Sequence, residues 1–359
     1  MSHEIKQYDG LFAVREEPWH KLGVTLKDYP TREEAQKIAH PWEPVAEPVY
    51  RKVIRVERRS HEHSFSTCYP TPNDCIKSSE HDEDEVPTES FEVVEDAVLN
   101  ARSDNGYPLG IVSGTYTPVS NGEMYDIAEV IEGVDKGAVR YETGGSLGNG
   151  KKVWLLLRLN EPIHVGGDPN GAVIPYYALQ NAHDGSGSFR GQATMTRIVC
   201  ANTARMADMD AQARGTEFVF SHTKNVGDRI EEAKKALAGW RVSVKAYQDQ
   251  MAYLMSLGIN VKQRELFLEQ FIPAPIAKAV SDRVMNNIED ARQSIRDLLA
   301  GPTCDGIDTT AYGLVQAGVE YLNHVRKAHS LESRFKRAYL DRSELTTHVV
   351  KLAEVASRV

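Results

Sequence analysis

Asn149-Gly150 stands between the glycine-rich run 142–147 and the apolar run 152–159, and this one dipeptide restricts the fold more than any other feature. Asn-Gly is the strongest short hairpin signal, because a type I′ turn needs φ > 0 at both central positions. The return strand carries Trp154, Leu155, Leu156 and Leu157 in succession, and so continuous an apolar run suggests a strand covered on both faces. A second hairpin follows, pairing 172–182 with 188–201 across Asp184-Gly185-Ser186-Gly187.

Past residue 225 the apolar period changes from 2 to 3.6. Val226, Ile230, Ala233, Leu237, Trp240, Val244, Tyr247, Met251 and Leu254 form one helical stripe. Further helices are expected at about 262–271, 274–299, 309–330 and 343–357, with Gly301-Pro302 separating two of them. Upstream, Thr31 and Glu34 make a capping box for a helix over 31–39. Residues 48–60 alternate as a strand with a wet face, and Asn121 opens a helix to about Ile131 after a strand-like stretch at 107–118. Residues 61–90 are polar, acidic and interrupted by Pro, which suits a mobile loop or insertion. The expected class is α+β: an antiparallel β-hairpin sheet core with packed helices, then an α-helical C-terminal region. The division is an acidic N-terminal segment at 1–106, a hairpin core at 107–223 and a helical region at 224–359.

Net charge is −9, and residues 1–100 carry all of it, with 12 Lys and Arg against 21 Asp and Glu. The remaining 259 residues hold 30 of each and are neutral. A global basic footprint for nucleic acid is therefore absent, while a local basic groove stays open. No window approaches the roughly 20 apolar residues of a membrane span, and MSHEIKQYDG has no apolar signal core. Four cysteines, Cys68, Cys75, Cys200 and Cys304, make no disulfide framework and fit a reducing cytoplasm.

Neither GxGxxG in a strand–helix context nor GxxxxGK[ST] occurs, so Gly144-Gly145 and Gly148 read as hairpin glycines with a possible bulge. His61, His63, Cys68, Cys75 and His81 lack the CxxC grip of a zinc knuckle and read as polar loop. GxSxG is missing, and no cysteine has a recognisable histidine partner. A His183-Asp184 pair alone does not make a hydrolase. The expectation is no catalytic residue, no metal and no cofactor. The turn around Asn181, His183, Asp184, Gly185 and Ser186 has two readings: ordinary turn chemistry, or amides and side chains arranged to meet a phosphate or base.

Between 140 and 205 the cations Arg140, Lys151, Lys152, Arg158, Arg190, Arg197 and Arg205 outnumber Glu142, Glu161, Asp168 and Asp184. Tyr176, Tyr177 and Phe189 are interleaved with them. Cations with aromatics suit single-stranded nucleic acid, where phosphates meet charge and bases stack on rings; a solvated sheet face is the plainer alternative. The basic helical run YLNHVRKAHSLESRFK at 321–336 is best taken as a solvated face.

ETGGSLGNGKKVW, the block LQNAHDGSGSFRGQATMTRIVCANTARMA and TAYGLVQAGVEYLNHVRK, with YTPVSNGEMYDIAE before them, resemble the phage/plasmid-like proteins of domain of unknown function 932. WHKLG near the N-terminus also fits. Asn181, His183, Asp184, Gly185, Arg197, Cys200 and Asn202 are the positions that match, and the family supplies no catalytic set to carry over. Genes of this kind lie near replication and recombination genes. The resemblance thus implies a phage protein of the bacterial cytoplasm that binds or anneals single-stranded DNA as a homo-oligomer. On that expectation Lys151, Lys152, Arg190, Arg197, Arg205, Tyr176, Tyr177, Asn181 and His183 contact the strand. The alternative is a phage protein for counter-defence or host takeover that binds a host or phage protein through an acidic surface.

Overall fold

The computed structural model describes residues 10–15, 23–58, 85–134, 139–159, 162–197, 202–205, 217–222, 233, 235, 244–276, 281–327 and 344–359. The two hairpins lie side by side at the centre of the larger sheet. The first is β6 (Val139–Leu147) with β7 (Lys152–Leu159), and the second is β9 (Ala172–Ala182) with β10 (Phe189–Arg197). β1 (Leu11–Val14), β2 (Val24–Leu26), β8 (Ile163–His164), β11 (Asn202–Arg205) and β12 (Glu217–Phe220) complete this sheet in the order β11-β10-β9-β7-β6-β1-β2. β8 pairs β9, and β12 pairs the first half of β10. Every pairing is antiparallel except β1 with β2.

A smaller sheet holds β3 (Pro44–Arg58), β4 (Glu85–Arg102) and β5 (Pro108–Ser113) in the order β3-β4-β5. This corrects the expected mobile loop over 61–90: residues 85–90 begin an 18-residue strand, and 61–84 lie outside the described residues. Carboxylates at Glu85, Glu89, Glu92, Glu95 and Asp96 hide the strand pattern, because they are interleaved with the apolar residues, of which Phe91 and Val93 stay exposed.

The helices are α1 (Arg32–Ala39), α2 (Asn121–Val134), α3 (244–256), α4 (Val261–Phe271), α5 (Asp282–Leu299), α6 (Ala311–Glu320) and α7 (Glu344–Ser357). α1 starts on the expected capping box: Thr31 Oγ1 accepts from Glu34 N, and Glu34 Oε2 accepts from Thr31 N at 2.9 Å. α2 opens at Asn121 as expected, and the residue before it supplies the cap. Ser120 Oγ accepts from Glu123 N at 3.0 Å, and Glu123 Oε2 accepts from Ser120 N at 2.6 Å. The helical stripe is real where described: Ala233, Val244, Tyr247, Met251 and Leu254 are all buried. Helix α5 begins later than the expected 274, at Asp282.

One face of the central sheet, built from Phe12, Tyr141, Val153, Leu155, Leu157, Tyr177, Leu179 and Phe189, packs with α1 and α2 residues such as Ala35, Met124 and Tyr125. The opposite face buries Leu156, Ile174, Tyr176 and Ala178. β7 is therefore apolar on both sides because both sides are covered, as its composition indicates. A second core joins Val165, Val173 and Met195 to Phe267, Tyr312, Leu314 and Val349, welding the C-terminal helices to one end of the sheet. The first hairpin needs its glycines: Gly148, Asn149 and Gly150 all have positive φ, and β6 bulges between Tyr141 and Thr143.

Candidate functional site

The tips of both hairpins converge on a buried polar knot. His183 N donates to Lys151 O at 2.7 Å, tying the turn of the second hairpin to the end of the first. Its Nε2 meets Asn121 Oδ1 at 3.0 Å, and Asn121 Nδ2 donates to Trp42 O at 2.6 Å. Asn100 Nδ2 donates to His183 O at 2.8 Å, and Asn181 Nδ2 donates to Val119 O at 2.9 Å. Trp42 meets the His183 ring edge-on and carries the Arg102 guanidinium on its own face, 4.6 Å from the ring centroid. Arg102 in turn donates to both Asp104 oxygens and to Asn149 O. Burial pushes the His183 imidazole down to about 3, helped by the neighbouring His222 and His40, so the ring is neutral near pH 7.

This knot settles where several anticipated contacts sit. Tyr176, Tyr177, Asn181 and His183 are interior, at 9%, 0%, 3% and 0% exposure. Tyr177 and Phe189 join Phe218 and Phe220 in an aromatic cluster on the helix-facing side. The reason is strand alternation: Tyr177 and Leu179 of β9 point to the α1/α2 core, and Ile174, Tyr176 and Ala178 point to the covered opposite face. The Asn181 amide and the His183 Nε2 and backbone groups are spent on Val119, Asn121 and the backbone, not on a surface.

The cations behave differently. Lys151 is exposed at the first turn, Lys152 is partly exposed beside it, and Arg190 is partly exposed on β10. Lys152 pairs with Ala182, and Arg190 pairs with Gln180, so both flank the end of β9 on the same sheet face. Two strand spacings across and two residues along β9 place their backbones about 12 Å apart. Among the described residues, none of the three forms an ion pair. Their neighbours are engaged: Arg158 lies 3.9 Å from Glu142 in an ion pair, and Arg140 sits over the Tyr29 ring in a cation–π contact. Arg197 pairs in register with Val173 and Asn202, and Arg205 with Thr194. Cys200 and the candidate zinc residues His61, His63, Cys68, Cys75 and His81 lie outside the described residues. Among the described residues no group of His, Cys, Asp or Glu is arranged to hold a metal ion.

A cleft of about 360 Å³ opens beside the second turn, lined by Ser113, Thr115, Tyr116, the run Gly185-Ser186-Gly187-Ser188, Ser221 and His222. Tyr116 and His222 stack at 4.5 Å, and the His222 ring sits 3.1 Å from Gly187 O. The lining presents hydroxyls, amides and a ring pair, with no charged carboxylate or ammonium group. The sequence points to the Gly185–Ser186 part and not to the rest, because Ser113 ends β5 and Ser221-His222 follow β12. The other helix end nearby is already filled. Glu43 accepts from the amides of Asn121 (2.6 Å) and Gly122 (2.9 Å), so the chain supplies its own anion at the N-terminus of α2.

The architecture is thus an α+β protein with a hairpin-built sheet whose polar motif lies at the strand ends. The chain belongs to the family described as domain of unknown function 932 (DUF932), whose family model matches residues 108–345. No curated protein and no solved structure matches it. Among the described residues no helix is long and apolar enough to cross a membrane.

Proposed function

We propose that the protein binds single-stranded DNA, as a phage-encoded, cytoplasmic, homo-oligomeric binding or annealing protein of recombination or replication. One observation carries this reading: Lys151, Lys152 and Arg190 stand together at the hairpin ends, at least partly exposed and without carboxylate partners. Unpaired cations at such a place attract a polyanion, and repeated copies lay few contacts per protomer along many nucleotides. The hydroxyl-lined cleft beside Ser186 and Ser188 adds uncharged hydrogen-bonding groups next to the cations. The stacking role expected of Tyr176 and Tyr177 is withdrawn, since both rings lie in the core. Fluorescence anisotropy with a labelled oligonucleotide across salt tests the reading. Three phosphate contacts per protomer give a log–log salt slope of about −2 on single strands. Absence of binding at low salt ends it.

A second reading, a phage protein that binds a host or phage protein in counter-defence or host takeover, is favoured by exposed Glu95 and Asp96 on β4 within the acidic N-terminal part. Replacing residues 61–84 with a short turn and repeating a partner capture from host lysate tests it; undiminished capture counts against that segment as the contact.

A further inference from the structure

The cleft beside the second hairpin turn is built by close approach. Gly110 of β5 lies so near the turn that a Cβ there would stand 2.8 Å from the Asp184 backbone, and a Cβ on Gly185 would meet Val112 at 3.0 Å. The turn therefore rests directly on β5. The cleft is left between Gly185–Ser188, the stretch 113–116 and Ser221-His222. Its walls are tied in place. Tyr116 Oη donates to Ala182 O at 3.2 Å, Thr117 N donates to His222 O at 3.1 Å, and Thr115 N donates to Ser113 Oγ at 3.3 Å. Ser186 N donates to Asp184 Oδ1 at 2.9 Å. So fixed a lining is formed before a ligand arrives, as small-molecule sites usually are.

What the cleft can accept follows from that lining. About 360 Å³ is the small end of ligand sites and suits one ring system, not a folded partner. Hydroxyls come from Ser113, Thr115, Ser186, Ser188 and Ser221. Each can donate and accept, so together they meet carbonyl, amino and ring-nitrogen edges alike. Among the described residues no lysine, arginine, aspartate or glutamate lines the cleft. An anion would lose hydration there without a counter-charge, and a divalent cation would lack carboxylates. The occupant is therefore a neutral group. Tyr116, stacked with His222 at 4.5 Å and 25° between planes, adds an aromatic wall. A flat neutral ring edged with hydrogen-bonding atoms fits both features.

The surroundings separate a nucleobase from other neutral rings. Arg190 lies two residues beyond Ser188, about 7 Å along the chain. Lys151 O takes the amide of His183, two residues before Gly185. Cations thus stand by both ends of the turn while staying out of the cleft. A sugar or an aromatic side chain has no use for them. A nucleotide does, because its phosphate is charged and its base is not. Only an unpaired strand offers such a base.

We propose that this cleft holds one unstacked base of a bound single strand, with Tyr116 as its stacking wall. This rests on the single-stranded DNA reading: Lys151, Lys152 and Arg190 meet phosphates, and the cleft adds contact with the base. Anisotropy titrations of the full chain compare a labelled dT oligomer with one of equal length and abasic throughout. Wild type is expected to bind the dT oligomer about tenfold more tightly. The two salt slopes are expected to be equal, since the phosphates are the same. Tyr116→Leu is expected to bring dT binding down to the abasic level and to leave abasic binding unchanged. Tyr116→Phe keeps the ring, gives up the bond to Ala182 and is expected to retain the preference. Because Tyr116 also braces the fold, Ser221→Leu is measured beside it. That position is exposed, its larger side chain fills the cleft, and the preference is expected to vanish with an unchanged circular dichroism spectrum. Equal binding of the two oligomers by wild type overturns the base site and leaves the cation reading standing. A folded Ser221→Leu variant that keeps the preference overturns it too, and a folded Tyr116→Phe variant that loses it overturns the stacking wall. Binding of neither oligomer at low salt ends the single-strand reading and the base site with it.

Discussion

Asn121 Oδ1 accepts a hydrogen bond from Nε2–H of His183 at 3.0 Å, and this single bond joins the first residue of α2 to the tip of the second hairpin. Because Oδ1 can only accept, it fixes the tautomer with the proton on Nε2 and leaves Nδ1 bare. Nδ1 is buried and has no hydrogen-bond partner in the structure. Protonating the ring would place a charge there with nothing to receive it.

A pH dependence follows from this ring and from His40. Burial lowers His40 to about 4, against an ordinary value of 6.5; its Nδ1 faces Tyr125 Oη and its Nε2 faces Gly145 O. Both histidines have folded values below the unfolded one, so the unfolded chain binds more protons. Stability is full above about pH 6.5 and falls as pH drops toward the folded values of about 3 and 4. At pH 5 each ring should cost about 2 kcal/mol, or about 4 together. Urea unfolding at pH 7 and pH 5 measures this. A His40→Gln variant should lose roughly half of the difference, and an unchanged midpoint between the two pH values would refute the buried neutral pair.

The turn of the first hairpin makes a sharper demand. Gly150 has φ of +99°, and a Cβ there would lie 2.4 Å from the Trp42 ring. Gly150→Ala therefore meets both a strained backbone and an aromatic wall that Arg102 holds in place. The expected loss is about 2–4 kcal/mol, above the ordinary glycine-to-alanine effect. Asn149→Gly, at φ of 61°, removes only the side chain of a left-handed residue and should change stability by less than about 1 kcal/mol. Thermal melts of the two variants discriminate, and equal effects would argue against the Trp42 contact.

Much of this arrangement is legible in the sequence, and the part that is not has a physical cause. Asn149-Gly150, Asp184-Gly185 and the Thr31/Glu34 box are local, so neighbours in sequence suffice to specify them. β7 and β9 match their expected limits, Lys152–Leu159 and Ala172–Ala182, because turn residues bound them on both sides. β4 is not legible because its strand pairing, not its composition, organises it: Phe91 and Val93 stay exposed among Glu89, Glu95 and Asp96. Tyr176, Tyr177, Asn181 and His183 look like surface residues at a turn because periodicity cannot say which sheet face is covered. His183 is buried by Trp42 and Asn121, which lie far away in sequence and cannot be seen from its neighbours. The hydroxyl cleft fails for the same reason, drawing Ser113, Ser186 and Ser221 from three separate stretches.

Glu43 gives a test of how α2 is held. Its carboxylate takes the amides of Asn121 and Gly122 from a position 78 residues upstream of Asn121. Glu43→Ala leaves those donors unmet in a half-buried place and should cost about 1–3 kcal/mol. Glu43→Gln keeps one acceptor oxygen and should cost less. A loss as large for Gln as for Ala would mean that the charge, not the hydrogen bonds, holds the helix end.

Separating binding from folding is the decisive comparison for the hairpin ends. Lys151, Lys152 and Arg190 form no ion pair among the described residues, and none is fully buried. The triple change Lys151→Ala/Lys152→Ala/Arg190→Ala should therefore shift stability by under about 1 kcal/mol. It should also weaken single-stranded DNA binding at least tenfold at low salt and bring the salt slope close to zero. Tyr177→Ala should do the reverse. Its ring is fully buried against Phe218, so truncation removes core packing worth about 3–5 kcal/mol. The fraction that remains folded should bind DNA as wild type does, since the ring never reaches the strand. Anisotropy titrations normalised to folded protein read both effects on one instrument. Should the triple variant bind as tightly as wild type, the cations at the hairpin ends are a solvated edge and the nucleic-acid interface lies elsewhere.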